Sequence, residues 1–434
     1  MPILTIIAKV ETSNETKDII LEAMLSATKV YNGLLWNLRE EFNQTGKTTL
    51  SQKNLNKILK TLPRAKDYYS QSVQATRDEV LQAYSSFFAL RKKGLTQHQL
   101  PGFRPKTQYS PLRYFDGFGF SLTSNELKIS LGTGREDKVK HLSLRLQKRE
   151  DLKYKRVINL LLTYETGLGL CAHLVVEIAA LEPLGNRLVA VDLGETQALA
   201  ATFDDASSLL YSGKLIKAIR RYWQKVRSCV KPPTKDNSKK SNRYKEIESK
   251  EHREIKHLLH ILSKDFVERC YLTGVSTIAI GKLTGIRENI DYTDKLNQRL
   301  HSWSFSELTN MITYKAAAFG IKVVLVNEAY SSRTCHCDLK VSKSNRKTRG
   351  FYSCSCGWIL QADVNAALNL FERQFGFSPI FGKRNIEEKV SLKKSSGVVA
   401  TPVVLPLRLG RHMVYKSDSS IPSALALNVQ SGAA

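Results

Sequence analysis

The sequence predicts two organisations in one chain: a small β domain with helices inserted after its first strand, then an α/β domain built on a mainly parallel sheet covered on both faces. Three observations predict this. A short alternating strand opens the chain and is followed at once by helical periodicity. Punctuated strands fill residues 118–185. From Arg187 onward, buried strands alternate with helices, the pattern of a sheet wrapped by its connections.

Residues 3–10 alternate (Ile3, Thr5, Ile7, Lys9). From Thr16 the period becomes helical, and Ile19, Ile20, Ala23, Met24, Ala27, Val30, Tyr31, Leu34, Leu35 and Leu38 form one broad apolar face. Helix continues to about Arg91, with a break expected at Pro63. Residues 92–116 mix Arg, Lys, Phe and Tyr with Pro and Gly. Phe103, Arg104, Lys106, Tyr109, Arg113 and Tyr114 have the chemistry to stack on bases and neutralise phosphates; they also suit an ordinary basic loop. The runs FGFSLTS, ELKISLG, LSLRLQ, KRVINLLLTYE and LCAHLVVEI then read as strands.

In the second part, RLVAVDLG is a buried strand ending in an acidic residue, and ALAATF turns back as its neighbour. Residues 213–270 read as a helical pair containing a basic hairpin, with 15 Lys+Arg against 5 Asp+Glu over 211–260. Its apolar stripe (Leu258, Leu259, Leu262, Phe266) docks the second helix and leaves the lysines outside. VSTIAIGKL and IKVVLVNE are further buried strands, separated by a helix from Phe305 to Phe319 that Gly320 closes. DVNAALNLFERQF is the last helix. The tail over 386–434 is poorly periodic and reads as largely disordered.

The chain has 434 residues, with 66 Lys+Arg against 40 Asp+Glu and a net charge of +26. Its 42% hydrophobic content excludes a disordered chain and a disulfide-stapled miniprotein. No apolar run approaches the ~18 residues of a membrane span. The start, MPILTIIAKVETSN, has no basic stretch or cleavage site of a signal peptide. A surplus of this size calls for a polyanionic partner bound with salt-sensitive affinity; a merely basic, solvated surface is the alternative.

Of seven cysteines, Cys335, Cys337, Cys354 and Cys356 sit within 22 residues in the form C-x-C, sixteen residues, C-x-C-G. Four thiolates can close a tetrahedral structural zinc site with no position left for water. The alternative is a metal-free loop. His336 stands between the first pair and is a substitute ligand. A second constellation is acidic: Asp192 ends the strand RLVAVD, and Asp363 opens a helix just after the cysteine loop. Either can be a mere cap. Together they fit a sheet that delivers carboxylates to its C-terminal edge, where α/β sheets bind ligands. Carboxylates there can hold two Mg²⁺ ions that promote phosphodiester hydrolysis.

VDLG (191–194), NQRLHSWSF (297–305), EAYSSRTC (328–335), the paired cysteines and ADVNAALNL (362–370) resemble the transposon-encoded TnpB family, similar to small ancestors of type V CRISPR effectors. The resemblance covers about residues 1–380. It implies an α/β RNase H-like (RuvC) nuclease domain (186–330 and 359–385) with a zinc-ribbon insertion (331–358), plus an N-terminal β-barrel-like wedge domain (1–16 and 96–185) with an inserted helical recognition domain (17–95). It further implies a transposon-end guide RNA, a DNA target with a short adjacent motif, two Mg²⁺ ions, structural Zn²⁺ and a cytoplasmic, nucleoid-associated setting in a prokaryote. Given an RNA–DNA partner, Lys214, Lys217, Arg220, Arg221, Lys225, Lys239, Lys240 and Arg243 of the hairpin become phosphate contacts.

One departure matters. The family's second catalytic acid is a Glu at the end of the fourth strand; here the run is Ile280-Gly281-Lys282-Leu283. Glu328 ends the strand expected beside it, and strands lie ~4.8 Å apart. The expectation is a branch with a relocated catalytic glutamate, in which Asp192, Glu328 and Asp363 hold the metals. Glu288, on a loop past the strand end, is a weaker substitute. Two other readings stand: a nuclease-inactive guided DNA-binding protein, favoured by Gly281, and a transposase or transposase accessory protein.

Overall fold

The structure is a computed structural model. It describes residues 2–94, 97, 99–132, 135, 139–147, 154–165, 168–230, 241–282, 305–336, 339–346, 348, 350–354, 358–380 and 403–405. Contacts divide the chain into two compact units, residues 3–179 and 180–421 in the main.

The first unit is built on a seven-stranded antiparallel sheet of β1 (Ile3–Glu11), β2 (Leu112–Phe115), β3 (Phe120–Thr123), β4 (Glu126–Ser130), β5 (His141–Gln147), β6 (Arg156–Glu165) and β7 (Gly169–Glu177), in the order β2-β6-β7-β1-β5-β4-β3. The opening strand lies in the middle, paired with β7 (Ile7 opposite His173) and β5 (Lys9 opposite Gln147). The sheet curls: a bridge joins Phe115 to Phe118, and the Tyr114 hydroxyl donates to the Ser130 carbonyl at 3.1 Å.

Three helices are inserted after β1: α1 (Asn14–Thr45), α2 (Gln52–Thr61) and α3 (Ser70–Lys92). Ser13 caps α1 by accepting from the Thr16 amide. Gly46, at φ 67°, ends it, a left-handed position that glycine occupies without strain. The chain is therefore broken twice, at Gly46 and around Pro63, where the sequence suggested one break. The apolar face of α1 is buried as its period requires. The helices are tied to the strands: the Ser110 amide donates to the Met24 carbonyl, and Ser72 Oγ to the Arg113 carbonyl.

The second unit holds a six-stranded sheet of β8 (Arg187–Asp192), β9 (Gln197–Phe203), β10 (Ser208–Ser212), β11 (Val275–Lys282), β12 (Lys322–Asn327) and β15 (Val403–Leu405), ordered β12-β11-β8-β9-β10-β15. β8, β9 and β10 are an antiparallel meander, while β11 and β12 add parallel to β8. The sheet is thus mixed but mainly parallel: of its six described strands, five run one way and β9, which turns back after β8, opposes them. Within the tail expected to be largely disordered, β15 pairs with β10 (Leu209 opposite Val403), and the apolar triplet Val403–Leu405 extends the sheet edge. The rest of 386–434 lies outside the described residues.

Helices cover both faces. α4 (Lys214–Val230), α5 (Asn242–Leu272) and α6 (Phe305–Ala318) form one layer, with Phe266 of α5 against the Tyr211 ring. α7 (Ala362–Phe375) lies on the other, packed with Ala190, Ala279 and Val326 through Leu370 and Phe371. A two-stranded hairpin, β13 (Phe351–Ser353) and β14 (Ile359–Gln361), leads into α7. Among the described residues no helix is long and apolar enough to cross a membrane.

Candidate active site

The register of the sheet builds the site. Val191 pairs with Ile280, so Asp192 stands beside Gly281, and Gly281 pairs with Val326. Side chains alternate along a strand. Ala190, Ala279 and Val326 face α7; Asp192 and Gly281 therefore continue that face at the C-terminal strand ends. Glu328 lies two residues beyond Val326. A Cβ placed on Gly281 would be 2.7 Å from Glu328 Oε2 and 3.3 Å from Glu328 Cβ, with Leu370 Cδ1 at 3.1 Å. The Glu328 side chain thus occupies the space over the glycine.

Asp363 reaches the same edge from the first turn of α7. It is not the helix cap. Gln361 is: its Oε1 accepts from the amides of Asp363 (2.7 Å) and Val364 (2.8 Å), and its Nε2 donates to Asp363 Oδ2 at 2.9 Å. One glutamine satisfies two orphan amides and holds the carboxylate.

The electrostatics show that the three acids share one region. The Asp192 carboxyl is raised well above its usual range by burial, then by the charges of Asp363 and Glu328; Arg346 opposes this. Burial pushes Glu328 up to about 7. Like charges and desolvation both favour the neutral acid, so the cluster as it stands is costly without a compensating cation.

Divalent cations fit this chemistry. The donors are hard carboxylate oxygens, and Glu328 Oε2 is buried with no hydrogen-bond partner. One observation bounds the fit: among the described residues, no three His, Cys, Asp or Glu side chains are gathered as a metal-holding group.

In the cysteine region, Cys335 and Cys354 are buried in one cluster with Tyr352 and Leu360. Both lie near enough to Tyr352 to push its hydroxyl upward, after burial itself. The Cys335 amide donates to the Lys340 carbonyl, and the Cys354 amide to the Trp358 carbonyl. Cys337 and Cys356 lie outside the described residues. His336 is buried against α7, with Nε2 2.8 Å from Ser378 Oγ and Nδ1 3.6 Å from Glu372 Oε2.

The basic candidates divide by their surroundings. Arg104 is folded into the first unit: its guanidinium pairs with Glu79 at 2.7 Å, donates to Ser110 Oγ and stacks 3.8 Å over the Tyr31 ring. Tyr114 is buried, Tyr109 packs edge-on against Tyr164, and Arg113 lies 3.9 Å from Glu79. Phe103 and Lys106 are exposed, with Arg39 over the Phe103 ring. On α4, Lys217 is 3.6 Å from Glu195, and burial pushes Arg220 down to about 10. Lys214, Arg221 and Lys225 are exposed on that helix. Arg243 is exposed and 3.4 Å from Glu246. Lys239, Lys240 and Glu288 lie outside the described residues. Sequence reasoning missed Gln361 and Arg346; the first sits two residues before an acidic helix start, and the second carries no signal beyond its place between the cysteine pairs.

Comparison with known proteins agrees with this architecture. Residues 173–287 match the OrfB_IS605 family model, described as a probable transposase, and residues 305–370 match a model described as a Cas12f1-like TNB domain. A TnpB-like protein, ORF457 of Acidianus two-tailed virus, is 29% identical over 209 residues, covering 45% of this chain and 43% of that protein. The CRISPR-associated endodeoxyribonuclease Cas12f1 of Sulfoacidibacillus thermotolerans is 32% identical over 112 residues, covering 26% of this chain and 25% of the enzyme. The matched stretches thus span less than half of these relatives. A Cas12f1 chain, solved by cryo-EM in complex with sgRNA and target DNA, shares the fold with a TM-score of 0.58 at 18% identity, over 83% of this chain and 84% of that one. The fold is therefore one shared with a Cas12f1 chain. In sequence the chain is similar to TnpB-like and Cas12f proteins, and the resemblance to the TnpB family is borne out.

Proposed function

We propose that this protein is an RNA-guided DNA endonuclease of a transposable element, in a branch whose catalytic glutamate has moved from the end of β11 to the end of β12. The observation that carries the reading is the Glu328 carboxylate over Gly281. Asp363 and Glu328 both act on the Asp192 carboxyl, and the orphaned Glu328 Oε2 suits a cation.

Asp192, Glu328 and Asp363 would hold the two Mg²⁺ ions, whose chemistry is activation of water and charge neutralisation at the leaving oxygen. The chain's own part is positioning. Gln361 fixes Asp363 through Nε2. Gly281 leaves room for the Glu328 side chain, and Arg346 offsets the negative charge at Asp192. Cys335, Cys337, Cys354 and Cys356 would hold a structural zinc. Sequence choice would come from guide–target pairing, with a short duplex motif read by the protein; Phe103, Lys106, Lys214, Arg221, Lys225 and Arg243 are exposed candidates for nucleic-acid contact.

The test is purification with the flanking locus expressed, sequencing of bound RNA and challenge with a plasmid library in Mg²⁺. A specific RNA and a guided cut are expected. Cleavage should be abolished by Glu328→Gln and retained by Glu288→Gln; full activity in Glu328→Gln removes the proposed role. A second reading, a guided DNA-binding protein that does not cut, is favoured by Gly281 and by the absence of a closed three-ligand group among the described residues. A bound RNA with no cut would support it.

A further inference from the structure

Asn365, Asn369 and Arg373 recur every four residues on α7 and so form one line along the helix. All three donate to main-chain carbonyls of the segment that follows β12. Asn369 Nδ2 reaches the Ser331 carbonyl at 2.9 Å and the Thr334 carbonyl at 3.0 Å, and Asn365 Nδ2 reaches the same two at 3.4 and 3.1 Å. Arg373 acts one turn further on. A single guanidinium nitrogen, NH1, donates to the Asn327 carbonyl at 3.0 Å and the Ala329 carbonyl at 2.9 Å. Its other nitrogen, NH2, lies 3.5 Å from Thr334 Oγ1.

Asn327 and Ala329 are the two neighbours of Glu328. The chain around them is bent tightly: the Ser331 amide donates to the Glu328 carbonyl at 3.0 Å, and the Ala329 amide to Asn327 Oδ1 at 3.0 Å. Tyr330 takes φ 61°, a left-handed conformation that a bulky residue adopts only when its surroundings impose it. A strand end held this way would fray without its clamp. The clamp spends nothing on the carboxylate itself, since Glu328 Oε2 has no hydrogen-bond partner.

We propose that Arg373 is the positioning residue for Glu328, fixing the direction of its side chain by gripping the carbonyls on either side of it. This rests on the reading of Glu328 as a metal ligand. An acid at the end of the central strand β11 would be fixed by strands on both sides. Glu328 stands past the end of an edge strand and needs another support. Arg373 supplies it through the backbone, as an outer partner that orients a ligand.

The full-length protein is compared as wild type, Arg373→Gln, Arg373→Lys and Glu328→Gln. The readouts are Mn²⁺ binding to the RNA-free chain by electron paramagnetic resonance, cleavage by the RNA complex across a Mg²⁺ series, and thermal melting. Arg373→Gln is expected to weaken the Glu328-dependent Mn²⁺ site about tenfold, the usual scale for losing an outer partner, with little change in melting. Excess Mg²⁺ should restore its cleavage, and Arg373→Lys should recover part of the binding. Mn²⁺ affinity and Mg²⁺ dependence equal to wild type in Arg373→Gln would overturn the proposal. If Arg373→Gln does not fold, Arg373→Lys decides: it keeps the charge but not the planar donor group, so unchanged Mn²⁺ affinity overturns the proposal and a weakened, Mg²⁺-rescued site supports it. Wild-type Mn²⁺ binding and cleavage in Glu328→Gln would instead sink the underlying reading of Glu328, a distinguishable failure.

Discussion

Glu328 fills the volume that a side chain at Gly281 would need: Glu328 Oε2 lies 2.7 Å from the position of a Cβ there. The two positions are therefore exclusive, and one acid can serve the sheet edge from either strand. Gly281→Ala should push the carboxylate aside at modest cost in stability, because the far end of a Glu side chain can move. Cleavage should fall about 100-fold, the scale of an ångström's misplacement. The double variant Gly281→Glu/Glu328→Ala returns the acid to β11 and should cut DNA better than either single change. Equal inactivity of all three in a guided cleavage assay would show that the exchange is not about carboxylate placement.

Gln361 separates helix capping from carboxylate positioning. Gln361→Ala removes both functions and should cost about 1 kcal/mol of stability as well as activity. Gln361→Glu keeps an acceptor for the amides of Asp363 and Val364 but cannot donate to Asp363 Oδ2. It should melt near wild type and cleave more slowly. If melting and cleavage of Gln361→Glu both match wild type, the contact with Asp363 is incidental.

The strand ends were legible because they depend on local counting. RLVAVD and VSTIAIG are short apolar runs, and their last residues fall at the edge whatever the topology. Strand direction was legible where a short connection forces it, as ALAATF turns back just after VDLG; an apolar run alone reports burial on two faces, not whether its neighbour is parallel. The cap was missed because glutamine is not a favoured capping residue, and two oxygens near a helix start compete in sequence. The packing of Arg104 was not legible because composition does not distinguish a cation folded onto Glu79 and Tyr31 from one facing solvent.

That distinction predicts how the basic residues sort. Ala at Lys214, Arg221 or Lys225, all exposed, should weaken nucleic-acid binding without affecting melting. Each true phosphate contact should lower the slope of log affinity against log salt by about 1. Ala at Arg104 or Arg220, which are packed into the fold, should lower the melting temperature first. A salt series combined with melting curves checks both, and the reverse pattern would refute the sorting.

The burial of Cys335 and Cys354 in one cluster predicts that the cysteine region carries a metal. Elemental analysis of purified protein should find zinc, and Cys354→Ser or Cys335→Ser should lose it together with stability in the 331–361 region, read by hydrogen exchange. Chelation should reproduce that loss. Zinc retained in both variants would rule out these two thiols as ligands.

Lys315 gives the second unit a pH dependence unrelated to the site. It is 1% exposed between α5 and α6, and Nζ donates to the His260 carbonyl (2.8 Å) and Ser263 Oγ (2.7 Å). Burial, reinforced by Lys264 and opposed by Glu268, pushes it from 10.5 down to about 7. Nearby His260 is pushed down to about 3 and adds no titration in this range. A lysine lowered on folding binds its proton more weakly folded than unfolded. Between about pH 7 and the unfolded value the denatured chain therefore holds more protons, and stability rises with pH by at most about 1.4 kcal/mol per unit. Below pH 7 both states are protonated and this contribution is flat. Denaturant titrations from pH 7 to 9.5 should show the rise in wild type and a flatter profile in Lys315→Met, and parallel profiles would mean that Lys315 keeps its charge in the folded protein.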